Sequence, residues 1–166
     1  MDFLEHNEIC AWATERGLQC GAGFKLQLPE FESQARKTYA NGHRSGREGA
    51  AARDLIESLG LWDECLVCIT AWGVWPSGED WPQFYAWRGA LGERRSLDVA
   101  PGHRSDRGEF LLLAELLELI MTNAWDANIL CSRNGRADGL RGIISHDEWY
   151  QVLSPSLRTR DSESDG

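Results

Sequence analysis

Apolar side chains are most concentrated between residues 110 and 121 of this chain. The polar side chains of residues 110–122 form one narrow stripe, which consists of Glu115, Glu118 and Thr122. At 100° per residue, this pattern predicts an α-helix, residues 107–124, that is buried on most sides. The charges in this stretch argue against a membrane span. We therefore expect the other elements to pack around this helix.

Further helices are predicted from capping-box spacing and from apolar residues that recur at helical intervals. Three of them precede the long helix and span residues 2–17, 45–60 and 81–88. Asp2 and Glu5 form the first capping box. Ser145 and Glu148 have the same spacing and predict a short terminal helix, residues 148–153.

Strands are predicted where apolar residues alternate or form an uninterrupted run. Residues 65–72 are such a run, and we expect them to form a central strand that is covered on both faces. The other predicted strands are residues 24–28, 95–99, 125–131 and 140–144, of which the last two form a hairpin. Residues 30–46 are predicted to be a loop or a loose hairpin.

The alternation of strands and helices predicts one α/β layered domain over residues 1–153, with helices packed on a mixed sheet. The sheet is expected to end in an antiparallel C-terminal hairpin. Residues 154–166 are almost entirely polar and are predicted to be a disordered tail.

The net charge of −9 results from 26 acidic and 17 basic residues. Phosphate-backbone recognition depends on clustered positive charge, so we expect no nucleic-acid partner. An acidic surface favours encounters with a basic protein, which is the partner that the charge indicates. The alternative is that the charge serves only solubility.

Cysteine usage and the first residues indicate an intracellular protein. The five cysteines, an odd number in mostly apolar segments, are not the pattern of a secreted disulfide framework. The first residues carry acids where a signal peptide carries bases, so we expect a cytoplasmic location and no membrane association. Cys65 and Cys68 would face opposite sides of a strand, and we expect neither a metal site nor a cofactor.

The segment from Ser145 to Trp149 places an imidazole beside carboxylates after a predicted strand. His146 and Asp147, joined by Asp126 and His103, could act as the catalytic residues of a small metal-assisted hydrolase or nucleotide-processing enzyme. The capping-box interpretation explains most of the same residues without catalysis. We therefore prefer it, and a catalytic site remains the alternative hypothesis.

Four tryptophans lie close together around a predicted turn, at positions 72, 75, 81 and 87. We expect Trp72 and Trp87 to lie in the core and Trp75 and Trp81 to be exposed. Aromatic anchors beside charges are typical of protein interfaces. The predicted partner-binding residues are Trp75, Glu79, Asp80 and Trp81.

The C-terminal part of the chain resembles a known group of proteins. Residues 125–130, WDANIL, together with residues 144–149, ISHDEW, are similar to the C-terminal signature of small bacterial immunity-type proteins. The resemblance runs from the long helix onward and lends no catalytic residues. The net charge of −9, the Trp-rich turn at residues 72–81 and the absence of a complete catalytic motif lead us to expect a non-enzymatic, acidic, tryptophan-rich binding protein, such as an immunity protein or inhibitor that neutralises a basic toxin or effector. A scaffold whose tail is the working part is a further hypothesis.

Overall fold

The computed structural model describes residues 1–21, 26–27, 31–33, 36–39, 45–137 and 141–155. The helices of this part of the chain are α1 (His6–Glu15), α2 (Glu48–Ser58), α3 (Trp81–Ala90) and α4 (Phe110–Thr122). The strands are β1 (Asp2–Leu4), β2 (Gln19–Cys20), β3 (Leu26–Gln27), β4 (Phe31–Ser33), β5 (Lys37–Thr38), β6 (Glu64–Ala71), β7 (Gly102–Asp106), β8 (Asp126–Ser132), β9 (Arg141–Ser145) and β10 (Trp149–Pro155).

The main sheet has the strand order β1-β7-β6-β8-β9-β10-β4, with β5 also pairing with β10. Strands β2 and β3 form a separate pair. The α/β class and the predicted antiparallel hairpin, which β8 and β9 form, are therefore confirmed. Where the sequence led us to expect parallel and antiparallel neighbours, every pairing among the described residues is antiparallel.

Side chains of the central strand β6 alternate between two separate apolar clusters. Cys65, Val67 and Ile69 belong to the larger cluster, which they share with helices α2 and α4. Leu66 and Cys68 belong to the smaller cluster, which they share with α1. The prediction of a strand covered on both faces is thus confirmed, and successive side chains of β6 stabilise different layers.

Helix α4 is the buried helix that the sequence predicts. Its core residues are Leu113, Ala114, Leu116, Leu117, Leu119, Ile120 and Met121. A short 3-10 turn, Arg107–Glu109, precedes it, and a capping box forms there: the Gly108 amide donates to Asp106 Oδ1 at 2.7 Å, and the Asp106 amide donates to Glu109 at 3.1 Å. Among the described residues, no helix combines the length and apolarity that a membrane crossing requires.

The first helix starts later than its predicted capping box. Residues 2–4 form the edge strand β1, which pairs with β7. The box that forms is one turn further on, where the Glu5 amide donates to Glu8 at 2.7 Å. Asp2 instead makes an ion pair with Arg104 on the neighbouring strand. Pairing with a distant strand overrides the local capping signal.

The predicted strand of residues 95–99 is a turn, and the strand lies instead at residues 102–106. Leu97 is buried in that turn, and its amide donates to the Tyr85 hydroxyl at 3.1 Å. Strand β7 has few apolar side chains, but it is paired on both sides, with β1 and β6. Its burial results from its neighbours, which the local sequence does not reveal.

The prediction of a short helix at residues 148–153 is wrong, because residues 149–153 belong to strand β10. The Glu148 amide donates to the Ser145 carbonyl at 3.0 Å, which closes a tight turn. Glu148 has a φ of 63°, in the left-handed region, and cannot start an α-helix there. The aromatic and β-branched residues that follow favour a strand, and pairing with β9 stabilises it.

The structure contains a disulfide, Cys10–Cys20, which the sequence did not lead us to expect. It joins α1 to β2. Cys65, Cys68 and Cys131 are free and buried. Residues 22–25, 28–30, 34–35, 40–44, 138–140 and 156–166 lie outside the described part of the chain, and with them most of the predicted tail.

Candidate functional site

The register of three strands brings together the segments that form the candidate site. An irregularity between Ile69 and Ala71 shifts the register of β6, so that Ala71 lies opposite Asp126, the first residue of β8. On the other side of β8, Ala127 lies opposite Ile144, near the end of β9. The loop after β6 and the turn after β9 therefore emerge at the same end of the sheet.

Asp126 and His146, two of the predicted catalytic residues, are in direct contact. Asp126 Oδ1 accepts a hydrogen bond from the His146 amide at 2.7 Å and lies 2.9 Å from the His146 Nδ1 atom. The His146 Nε2 atom lies 3.6 Å from the Asp147 carboxylate. The Asp126 carboxylate thus fixes both the backbone of the turn and the orientation of the imidazole ring.

The turn of residues 146–148 is also held from inside the fold by Tyr39. The Tyr39 hydroxyl donates to the Ser145 carbonyl at 3.2 Å, and the Tyr39 amide donates to the Glu148 carbonyl at 3.0 Å. Burial raises the pKa of Tyr39, and the negative charges of Glu148, Glu48 and Asp126 raise it further. These carboxylates give this end of the sheet a negative potential.

The loop after β6 is fixed by Glu79. One carboxylate oxygen accepts from the Gly73 amide at 2.6 Å and the other from the Trp81 indole at 2.8 Å. Asp80 accepts from the Gln83 amide at 3.0 Å and so caps α3, while its own amide donates to Asn123. Two of the predicted partner-binding residues therefore have positioning roles within the chain.

Trp75 lines a shallow cleft with the turn after β9. We call this feature the Trp75 cleft; it has a volume of about 320 Å³ and is lined by Trp75, His146, Asp147 and Glu148. Trp75 is 51% exposed, and the Asp147 side chain is 69% exposed. The structure thus places a residue of the predicted binding set beside residues of the predicted catalytic set.

The other tryptophans of the sequence cluster do not all lie where we expected them. Trp72 is exposed and not part of the core, because the chain leaves the sheet immediately before it. Trp81 is half-buried and stacks on Tyr85, with 5.7 Å between ring centroids. Trp87 is also only half-buried, and its indole donates to Glu115 at 3.1 Å. Trp75 is therefore the member of the predicted set with the most accessible ring.

His103 is not brought to the other candidate catalytic residues. It lies on β7, opposite Val67, whereas Asp126 lies on the far side of β6, opposite Ala71. Its ring is completely buried and contacts Arg88 at 3.3 Å. Desolvation, followed by the charge of Arg88, lowers the pKa of His103 to about 3. His103 is a neutral residue of the core.

A larger cavity, of about 670 Å³, lies between β1, α1 and the segment after α3. Four of the charged side chains at its wall pair with each other: Arg95 with Glu93 at 2.6 Å, and Arg104 with Asp2. These pairs hold the edge of the sheet together and present little unsatisfied charge to a ligand. We therefore place the candidate site at the smaller Trp75 cleft.

The chemistry available at the cleft is that of an acidic, partly aromatic surface with one oriented imidazole. Among the described residues, no three His, Cys, Asp or Glu side chains are grouped so that they could hold a metal ion. That Trp75 and Asp147 lie close together could not be found from sequence spacing, because their proximity depends on the register shift in β6.

The sequence matches no family model, and neither a curated protein nor a solved structure matches the chain.

Proposed function

We propose that this chain is a non-enzymatic, acidic protein-binding module whose Trp75 cleft receives a cationic side chain of a basic protein partner. The observation that carries the proposal is the exposed indole of Trp75 in the same cleft as the carboxylates of Asp147 and Glu148. An arginine or lysine side chain is attracted both by an indole face and by carboxylates. The net charge of −9 favours encounters with such a partner.

Both segments of the cleft are held in place before a partner arrives. Glu79 fixes the loop that carries Trp75, and Asp126 fixes the turn that carries Asp147. Binding to preformed segments costs less conformational entropy than ordering mobile ones. This preorganisation supports recognition at the Trp75 cleft.

In its narrower form, the proposal is that the partner is a basic toxin or effector and that this chain is its immunity protein or inhibitor. The support is the resemblance of the C-terminal part to immunity-type proteins and the acidic charge. Covering the active cleft of such a partner requires an acidic, aromatic surface and no catalysis. The intracellular location that we expect would suit this role.

The test is a titration of the full chain with an oligo-arginine peptide. Binding is measured by isothermal titration calorimetry and by changes in the indole NMR signals. Trp75→Ala leaves the net charge unchanged. A weaker affinity of this variant would therefore show that the peptide binds at the Trp75 cleft and is not held by the overall charge alone. We expect Trp75→Ala to raise Kd about 5- to 30-fold, and Asp147→Asn to raise it about 2- to 5-fold with a smaller salt dependence.

Two exposed residues outside the cleft give matched controls. Leu111→Ala removes an apolar side chain that is 73% exposed, and Glu57→Gln removes an exposed negative charge. We expect both variants to bind the peptide as the wild type does. Equal affinity of the Trp75→Ala variant and the wild type would overturn the proposal.

The contact between Asp126 and His146 favours a second candidate function, a small hydrolase or nucleotide-processing enzyme. A carboxylate that holds Nδ1 can orient an imidazole so that Nε2 acts as a general base. In that case the Asp147 carboxylate, 3.6 Å from Nε2, would stabilise the protonated form of the imidazole or help to hold a divalent ion.

Activity measurements separate the two candidates. An enzyme would hydrolyse a chromogenic ester or phosphodiester, and His146→Gln would reduce the rate about 100-fold or more. A stabilising thermal shift with Mn²⁺ that Asp147→Asn abolishes would favour the metal-assisted form. Hydrolysis that Trp75→Ala leaves intact, without peptide binding, would favour this candidate over the binding module.

A further inference from the structure

Cys65 on β6 and Cys131 on β8 face each other across the centre of the sheet. They are register partners, and their sulfur atoms lie 2.8 Å apart. Opposed residues of antiparallel strands have Cα atoms about 4.5 to 5.5 Å apart. Disulfides join Cα atoms about 4.4 to 6.8 Å apart. The backbone therefore already has the spacing of a cross-link.

The remaining free cysteine is not placed to compete for this pairing. Cys65 and Cys131 both point into the larger apolar cluster. Cys68 points into the smaller cluster on the opposite face, and its register partner on β8 is Asn128. Cys65 and Cys68 thus lie on opposite faces of β6 in spite of their CxxC spacing. Strand pairing places Cys131, and not Cys68, beside Cys65.

We propose that Cys65 and Cys131 form a disulfide that cross-links β6 to β8 when the chain meets a small-molecule disulfide such as oxidised glutathione. The thiolate of one cysteine attacks the glutathione disulfide, which releases one glutathione thiol and leaves a mixed disulfide. The second cysteine then displaces the other glutathione. In sum, two cysteine thiols lose two electrons and two protons, and one glutathione disulfide becomes two thiols.

The exchange takes place while the two strands assemble or when they open locally. Cys65 is completely buried and Cys131 is 6% exposed, so glutathione does not reach them in the closed fold. Burial and the neighbouring Cys131 raise the pKa of Cys65, so the reactive thiolate is scarce there. Oxidation is therefore fast during refolding and slow in the folded protein.

The cross-link would join two strands whose ends carry the candidate site. It closes a chain segment with a sequence separation of 66 residues, which contains α3 and α4. A cross-link over a segment of this length raises the thermal midpoint by on the order of 10 °C. The inference does not depend on the proposed function, because it rests on strand register and sulfur positions alone.

The test is refolding of the full chain from urea with oxidised and reduced glutathione, followed by thiol alkylation under denaturing conditions and peptide mapping. The three free cysteines of the structure would all be alkylated without the cross-link. We expect one alkylated cysteine, Cys68, and a disulfide-linked peptide pair that contains Cys65 and Cys131. Three alkylated cysteines, or a bridge from Cys65 to any other cysteine, would overturn the inference.

A pair of variants gives an independent readout. Cys68→Ser retains the proposed cross-link and Cys131→Ser removes it, while both retain the Cys10–Cys20 bond. We expect the midpoint difference between oxidised and reduced protein to be larger for Cys68→Ser by on the order of 10 °C. Equal differences for the two variants would contradict a cross-link between β6 and β8.

Discussion

The guanidinium of Arg88 lies 3.3 Å from the Nε2 atom of His103, and neither side chain has any exposed surface. Arg88 also donates to the Ala100 carbonyl at 3.2 Å, and the rings of Phe3 and Phe84 flank its charge. A buried cation tolerates a neutral imidazole beside it and opposes a charged one. This contact and the burial of His103 keep the imidazole unprotonated in the folded protein.

We expect the stability of the fold to fall as the pH is lowered, with His103 as a principal cause. The pKa of His103 is about 3 in the folded protein and near the ordinary value of 6.5 in the unfolded chain. Between these values the unfolded chain binds a proton that the folded protein does not. The free energy of unfolding therefore falls by about 1.4 kcal/mol per pH unit from this group, from pH 6.5 downward.

Urea titrations at several pH values between 4 and 7 measure this slope. His103→Gln removes the titrating group, and its stability should depend less steeply on pH whatever its absolute value. His6→Gln changes an exposed histidine and serves as the matched control. Parallel pH profiles for the wild type and His103→Gln would show that His103 is not the cause.

Replacement of Glu79 by Gln should loosen the loop that carries Trp75. The substitution removes one of two carboxylate acceptors, which bind the Gly73 amide and the Trp81 indole. We expect the free energy of unfolding to fall by about 1 kcal/mol and hydrogen exchange at Gly73 to accelerate. Glu57→Gln, on the exposed surface of α2, should change neither; unaltered exchange at Gly73 would refute the role of Glu79.

Asp80 should matter for its hydrogen bond and not for its charge. Its carboxylate caps α3 by accepting from the Gln83 amide. Asp80→Ala should cost about 1 kcal/mol of stability, whereas Asp80→Asn keeps an acceptor and should cost less. Thermal unfolding distinguishes the two variants. A loss of oligo-arginine affinity in Asp80→Asn, with stability unchanged, would instead assign Asp80 to the binding surface.

Two glycines should respond in opposite ways to alanine. A Cβ atom on Gly102 would lie 2.7 Å from Ile9, so Gly102→Ala overpacks the core and should lower the free energy of unfolding by about 1 to 3 kcal/mol.

A Cβ atom on Gly89 would meet no atom within 4 Å, and the residue lies within α3. Gly89→Ala should therefore stabilise the protein by about 0.5 to 1 kcal/mol. A melting curve that falls for Gly89→Ala would disprove this assignment.

The sequence predicted the elements whose own apolar pattern is strong. Helix α4 and strand β6 lie where their side chains required burial on most sides, and β8 and β9 form the hairpin that we expected from residues 125–131 and 140–144. These elements carry their structural signal locally. Pairing with distant segments decided the others: β1 replaced a predicted helix start, and β10 replaced a predicted helix.

The candidate site was predictable only in parts. The contact of Asp126 with His146 follows from the predicted hairpin, because β8 and β9 are adjacent. The position of Trp75 beside His146 depends on the register shift after Ile69, and such shifts are not readable from residue spacing. The roles of Glu79 and Asp80 also depend on this loop. The sequence analysis assigned both carboxylates to a binding surface, but in the structure Glu79 closes the loop and Asp80 caps α3.

Both walls of the Trp75 cleft are connections between elements and not parts of the sheet itself. Strand β6 ends at Ala71 before one wall begins, and β9 ends at Ser145 before the other. Randomised residues at 74–77 and at 147 would thus vary recognition without entering the apolar interior. A display library built on these positions, with Glu79 and Asp126 retained as anchors, would turn the chain into a scaffold for selecting new binders.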